Sequence, residues 1–563
     1  MSVTNQQALE GLDEHQRIVA TTWGSPLCVL AGAGTGKTRA LTHRIAHGIA
    51  EGHYQVDQVL ALTFTAKAAG EMGSRLRALG VPSVAARTFH SAALRQLQHF
   101  WPTVTGGRLP DISPSKGRLI AKALETLHLT PDTALLRDIA AEIEWRKVQG
   151  LTPEQYQASR QERGGSLPGR MSPEAMRGVH ERYEQVKDEA SQIDFEDVLL
   201  ATVGLFEENP QVLEKVRAQY TSLLVDEYQD VSPLQQRLLD LWIGPREDVV
   251  VVGDASQTIY TFAGASARYL LDFGERHPTA QVVKLERNYR STPEIVAAAN
   301  SVVAGKPGAL TLTPVHKSGA PLRRHIAVDE AAEAAYVAAK VTEALAKGVS
   351  PDDIAVLLRF GAQSLAVENA LRGAGISYRV RGATPFFEEP HVARAVMEIR
   401  GAAVAGASEP MLQVVQDVLF GLGLGPEAPE SSGAERSRYE DLVALRDLAR
   451  AQPPGTTLVQ FSENLREKSA AGDSPNVGAL TLTTVHSAKG REWPVVFLVG
   501  LTEGAFPISY ALTDEAIEEE RRLFYVAITR AQKELHLTLA ERSKEGSAPR
   551  TPSRFVSALT LAS

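Results

Sequence analysis

Short, predominantly apolar runs recur along the chain, and each closes on small or acidic residues. Val29–Leu30 close one such run and lead into the loop Ala31–Gly36. Ser222–Val225 is a second run, followed at once by Asp226 and Glu227. Val249–Val252 is a third, with Gly253 and Asp254 turning the chain at its end. Unbroken runs of branched apolar residues mark strands buried on both faces of a parallel sheet. Their alternation with helical patterns predicts an α/β fold. Two other stretches, DIAAEIEWRKVQG (138–150) and HERYEQVKDEA (180–190), are amphipathic at helical spacing and predict a helical insertion. The loop SRQERGGSLPGRMSPEA between them is rich in Gly, Arg and Pro and is expected to be mobile. No internal repeat is visible.

Composition adds limits. The chain has 563 residues, 44% hydrophobic and 22% charged, which is ordinary globular material large enough for several cores. The single cysteine, Cys28, excludes an internal disulfide and a Cys-cluster zinc site, and its apolar setting predicts a buried small side chain. The segment MSVTNQQALEGLDEHQ lacks the profile of a signal peptide, and no apolar run is long enough to span a bilayer. No membrane association and a cytoplasmic location are therefore expected. A net charge of −8 argues against a uniformly basic coat but leaves room for nucleic acid in a local groove.

The strand ends carry the chemistry. In Ala31-Gly32-Ala33-Gly34-Thr35-Gly36 the loop has almost no side chains, so successive backbone N–H groups can surround an anion at a helix N-terminus. Lys37 can reach the β- and γ-phosphates of a nucleotide, and the Thr38 hydroxyl can ligate Mg²⁺. Ala31 stands where the usual phosphate-loop pattern has Gly. A Gly-rich turn used only for packing would not need Lys and Thr directly after it. Ligands of an open parallel sheet bind beyond the carboxyl ends of its strands, which places Asp226 to hold Mg²⁺ and Glu227 to polarise an attacking water. Seen alone, such an acidic pair is as readily a helix N-cap; beside a phosphate loop it implies hydrolysis. Gln257 is placed to touch the γ-phosphate or the water. Tyr260 and Phe262 can stack on bases or pack in a core.

The ordered series LDEHQ (12–16), AGAGTGKT (31–38), LTFTAKAA (62–69), TFHS (88–91), IDFED (193–197), VDEYQD (225–230), GDASQTIY (253–260), LERNYRST (285–292), VHSAKGREW (485–493) and RRLFYVAITRA (521–531) resembles the superfamily 1 DNA helicases of the UvrD, PcrA and Rep group. The resemblance covers nearly the whole chain. It implies two RecA-like parallel-sheet motor lobes, each with a helical insertion. It assigns adenine reading to Gln16, phosphate binding to Ala33, Gly34, Thr35, Gly36, Lys37, Thr38 and Arg39, adenine stacking to Tyr289 and a ribose contact to Glu492. Arg290 and Arg530 match arginines presented to the γ-phosphate; without the resemblance they would read as surface ion-pair partners. Phe64, His90, Phe195, Tyr260 and Phe262, with Arg359 in VLLRFGAQS, match contacts to a single strand. Departures are Phe262-Ala263 where the family often has Trp-Arg, Arg491 where it usually has a hydrophobic residue, and Gly361 where it has Asn.

The implied order is lobe 1 in residues 1–100 and 187–285 around an insertion at 101–186. Lobe 2 occupies 286–392 and 477–563 around a shortened insertion at 393–476. In the latter, FGLGLGP (420–426) is either a turn that grips duplex backbone or a helix end with a proline stop; PEAPESSGAERS and ARAQPPGTT are expected loops. The resemblance implies ATP and Mg²⁺ as cofactors, single-stranded DNA and single/double-strand junctions as partners, and 3′-to-5′ translocation, in a monomer or weak dimer with a repair-protein partner or a further C-terminal domain. Alternatives are a translocase that strips proteins from DNA, the motor subunit of a helicase–nuclease complex, or a nucleotide-gated scaffold, against which Glu227, Gln257, Arg290 and Arg530 argue.

Overall fold

The computed structural model describes residues 5–559 apart from 82, 164–166, 247, 382–385, 407–408, 426–433, 472–477 and 545. Part of PEAPESSGAERS and the Gly-Gly-Ser of the first insertion's loop therefore lie outside the described residues. By its contacts the chain divides into two compact units, Met1–Leu30 with Lys37–Leu285, and Ala31–Gly36 with Glu286–Ser563.

The first sheet holds β1 (Leu27–Ala31), β2 (Val59–Thr63), β3 (Ala85–Thr88), β4 (Ser222–Val225), β5 (Val249–Gly253) and β6 (Gln281–Leu285), in the order β3-β2-β4-β5-β1-β6. Leu27 pairs in parallel with Val250 and Leu62 with Val225, so the carboxyl ends of β1, β2, β4 and β5 share one edge. The four valines of β5 are buried at the centre, as a strand covered on both faces requires. Cys28 lies within β1, 2% exposed, and burial pushes its thiol up to about 12.

Around this sheet run α1 (Glu14–Thr21), α2 (Lys37–Glu51) and α3 (Phe89–Thr105). Next come the insertion helices α4 (Lys116–Thr126), α5 (Thr133–Val148), α6 (Pro153–Arg163) and α7 (Pro173–Glu189), and then α8 (Phe195–Glu208). The insertion has its own core of Leu119, Ile120, Ile139, Ile143, Tyr156, Val179 and Tyr183. The boundary expected at residue 100 falls inside α3, which continues to Thr105 and ends on left-handed Gly106.

The second sheet is also parallel, with β7 (Arg323–Ala327), β8 (Ile354–Leu358), β9 (Tyr378–Arg381), β10 (Leu480–Thr484), β11 (Trp493–Leu498) and β12 (Ala531–Ala540) in the order β7-β12-β11-β8-β10-β9. Its insertion is built from α9 (Pro390–Val404), α10 (Met411–Gly421), α11 (Ala434–Arg450) and α12 (Leu458–Ala471), packed around Val392, Ile399, Val415, Leu445, Phe461 and Leu465. The boundary expected at residue 392 lies within α9. Helix α13 (Asp514–Ile528) leads into β12.

In FGLGLGP, α10 ends at Gly421, and Gly423 has φ 102. Leu424 N donates to Leu419 O at 3.0 Å, and both leucine side chains are buried. That is a Schellman ending, so the helix-end reading describes residues 420–425.

Candidate functional site

The loop after β1 turns on two glycines in the left-handed region, Gly34 (φ 71) and Gly36 (φ 81), which a residue with a Cβ would adopt only under strain. Thr35 Oγ1 donates to Gly32 O at 2.9 Å and closes the loop on itself, while Ala33 is buried. The loop delivers Lys37 and Thr38 to the start of α2.

At the neighbouring strand end, Thr38 Oγ1 donates to Asp226 Oδ2 at 2.7 Å. Asp226 is 3% exposed, and burial together with the Glu227 charge pushes its carboxyl up to about 6. A hydroxyl and a buried carboxylate converging on one point, with a second acid alongside, form an oxygen donor set suited to Mg²⁺, which would relieve the buried charge. Among the described residues no cluster of His, Cys, Asp and Glu offers another metal site.

Glu227 adopts φ 54 and ψ 40, unusual for a residue with a side chain. Its carboxylate lies 4.0 Å from Lys37 Nζ and accepts from Gln229 Nε2 at 2.5 Å. Gln229 is fully buried, and its Oε1 accepts from Asp254 N at 2.9 Å, so one amide ties the ends of β4 and β5 together. The sequence reading missed Gln229, although its place in VDEYQD was a signal. Gln257 is held by Asp254, Nε2 to Oδ2 at 2.8 Å, and burial raises the Asp254 carboxyl. Gln16 is buried on α1, where it forms a capping box with Asp13. Arg39 is turned toward Gly11, whose carbonyl accepts from Nη2 at 2.9 Å.

The rings expected to meet a strand occupy one unit and fall into two groups. Phe64 follows β2 and stacks on Tyr260 with centroids 5.4 Å apart; Phe262 meets Tyr260 edge-on at 6.1 Å. His90 on α3 stacks on Phe195 of α8 at 4.0 Å. Phe195 is 54% and Phe262 62% exposed, so each ring keeps surface open to solvent beside its ring partner. Burial lowers the His90 pKa to about 4, so its ring is neutral and suited to stacking.

In the second unit Arg290 pairs with Glu492, and its Nη1 donates to Thr529 O at 3.1 Å. The turn before it is set by Asn288, whose Oδ1 accepts from Arg290 N at 3.0 Å and Ser291 N at 2.8 Å; the sequence reading passed over this residue. Glu492 also accepts from Gln532 Nε2 at 3.0 Å. Arg530 is 2% exposed, donating to Val526 O at 2.9 Å and Arg491 O at 3.0 Å. Arg359 makes a two-pronged pair with buried Glu520, with Nε 3.0 Å from both carboxylate oxygens, and is not a bare surface cation. Tyr289 is 38% exposed beside Arg287, whose guanidinium lies 5.8 Å from the ring centroid.

Residues 12–278 match the UvrD/REP helicase N-terminal domain, and 283–419 with 438–542 match the UvrD-like helicase C-terminal domain. The chain is 44% identical to the ATP-dependent DNA helicase UvrD2 of Mycobacterium tuberculosis, over 99% of this chain and 83% of that protein. It is 32% identical to UvrD1 of the same organism, over 98% and 85%, and 30% identical to PcrA of Bacillus subtilis, over 99% and 86%. With both domain models matched in order and 30% identity to PcrA over 99% of its own length, the chain belongs to the UvrD/PcrA family of superfamily 1 helicases.

Proposed function

We propose that the protein is an ATP-driven DNA motor that moves 3′ to 5′ along a single strand and opens duplex ahead of it, in DNA repair or replication. The observation that carries this reading is the gathering of Lys37, Thr38, Asp226, Glu227 and Gln257 at the carboxyl ends of β1, β4 and β5. Exposed stacking rings stand on the same unit.

Bound MgATP would supply the phosphoanhydride whose cleavage drives the cycle. Lys37 and the loop amides orient the phosphates, and Thr38 and Asp226 hold Mg²⁺. Glu227, held by Gln229, takes the proton of the attacking water. The rings of the same loop, Tyr260 and Phe262, follow Gln257 in the chain, so a change at the phosphate end of that loop reaches the strand. Arg290 and Arg530 are the cations proposed to stabilise charge on the γ-phosphate. Base–ring stacking is tolerant of sequence, which suits a motor that must pass any base.

The test is ATPase activity with and without single-stranded DNA, together with unwinding of 3′- and 5′-tailed duplexes. Stimulation by the strand and opening from the 3′ tail are expected. Activity indifferent to DNA would remove the motor reading, and equal opening from the 5′ tail would remove the polarity.

A further inference from the structure

Helix α5 of the first insertion ends in a buried network of charges. Lys147, 1% exposed, donates from Nζ to Asp194 Oδ2 at 2.5 Å and to Asp197 Oδ1 at 2.6 Å. Lys187 on α7 lies 2.6 Å from Glu184 and also pairs with Asp197, while Arg146 pairs with Glu184. Tyr183 OH donates to Asp194 Oδ2 at 2.8 Å. Lys116, with Glu144 and Glu196, flanks the same helix end. Burial alone would raise the Asp194 carboxyl, but Lys147 and Lys187 outweigh it and hold it well below the usual carboxylate range. Such a network gives little net stability over apolar packing. What it adds is direction, because hydrogen bonds fix angles that apolar contact leaves free.

The network acts on something specific. Asp194 and Asp197 form the capping box of α8: Asp194 Oδ1 accepts from Asp197 N at 3.0 Å, and Asp197 Oδ2 from Asp194 N at 2.9 Å. The first residue of that helix is Phe195, the ring stacked on His90. The residue after Lys147 faces the other ring group. A Cβ on Gly264 would meet Val148 Cγ2 at 2.7 Å and Gln149 Nε2 at 3.4 Å, and Gly264 closes the turn Thr261–Ala263 that carries Phe262. Gln149, Thr261 and Gly264 also line one cavity.

We propose that the end of α5, Lys147 with its carboxylates and Val148 with Gly264, is a strut. It sets the spacing of two base-stacking stations, His90–Phe195 and Phe64–Tyr260–Phe262, so that one DNA strand engages both at once. Lys147 and Val148 are positioning residues in this scheme, which rests on the strand-binding reading above.

The test is binding of an oligothymidylate length series by fluorescence anisotropy. In the unaltered protein, affinity should rise by about fivefold or more, the low end for one base–ring stack, at the length that first reaches both stations. Phe262→Ala identifies that step by removing it. The paired variant Lys147→Met with Asp197→Asn removes one charge of each sign. It should lose the step to under about twofold while keeping affinity for the shortest strands and ATPase without DNA. Lys147→Arg should retain the step. A stably folded paired variant with the full step would overturn the strut. Hydrogen exchange on the unaltered protein decides the matter should the variant not fold. A bound strand should slow exchange at residues 146–149 together with 195–198 and 261–265. Slowing at the two stations without 146–149 would overturn the strut. No slowing at either station, with no step in the series, would instead mean that the strand-binding reading itself had failed.

Discussion

Glu227 shows how one residue's backbone is held for the chemistry proposed for it. Its left-handed conformation costs on the order of 1–3 kcal/mol and is held by the bond from Gln229. Glu227→Gln keeps the shape and removes the proton acceptor. Turnover should fall by about 10²–10⁴-fold with nucleotide affinity nearly intact, read by steady-state ATPase beside fluorescent-nucleotide binding; near-normal turnover would put the base elsewhere. The two arginines divide in a way their motifs did not show. Arg290 is a partly buried ion-pair partner of Glu492, whereas Arg530 is buried on the carbonyls of Val526, at the end of α13, and of Arg491. Arg290→Ala should lower kcat by about 10³-fold without moving the melting temperature. Arg530→Ala should lower both. A loss below about tenfold in both variants would remove the arginines from the reaction.

At the scale of the element, strand ends and helix ends decide function. Phe64 stands just past the last residue of β2, 37% exposed, with its ring against Tyr260. Phe64→Ala should weaken single-strand binding by about 1–3 kcal/mol, with ATPase in the absence of DNA unchanged. Joint loss of thermal stability and basal ATPase would show a core residue instead. The α10 ending at Gly423 makes an opposite prediction for the second insertion. Gly423→Ala should destabilise by about 1 kcal/mol or more, because φ 102 is unfavourable to a residue with a Cβ, and should leave duplex binding alone. Weaker duplex binding at unchanged stability would restore the gripping role of FGLGLGP.

At the scale of the whole molecule, burial sets a pH limit. His90, His486 and His536 are lowered to about 4 and His180 to about 3, chiefly by burial, so all four are neutral in the fold. Unfolded, they titrate near 6.5, so between about 6.5 and 4 the unfolded chain binds more protons than the folded one. Stability should therefore be level above pH 7 and fall steadily as pH drops through that window, measured by calorimetry. A melting temperature unchanged down to pH 5 would contradict the neutral buried rings. Activity should show strong strand stimulation and 3′-to-5′ translocation with weak unwinding by the isolated protein, since the second insertion is small. Efficient opening of long duplexes at limiting enzyme would show that its size is no handicap.

The sequence by itself determined which residues could do chemistry and where along the strands they stand. Apolar runs make parallel strands, and residues just past their ends must emerge on one edge, so Lys37, Asp226 and Gln257 were legible from pattern alone. The rings proposed to meet a strand were assigned through resemblance, because an aromatic residue in sequence reads equally as core or platform; the exposure of Phe195 and Phe262 favours the platform. What only the tertiary structure decided is who holds whom. Gln229 bound to the backbone of Asp254, Arg359 committed to Glu520, and Arg530 bound to the Arg491 carbonyl are partnerships between residues far apart in the chain. The same holds for Lys147, which reads in sequence as one more cation on an amphipathic helix. Its burial against Asp194 and Asp197 follows from the packing of α5 on α8, and no local spacing encodes it.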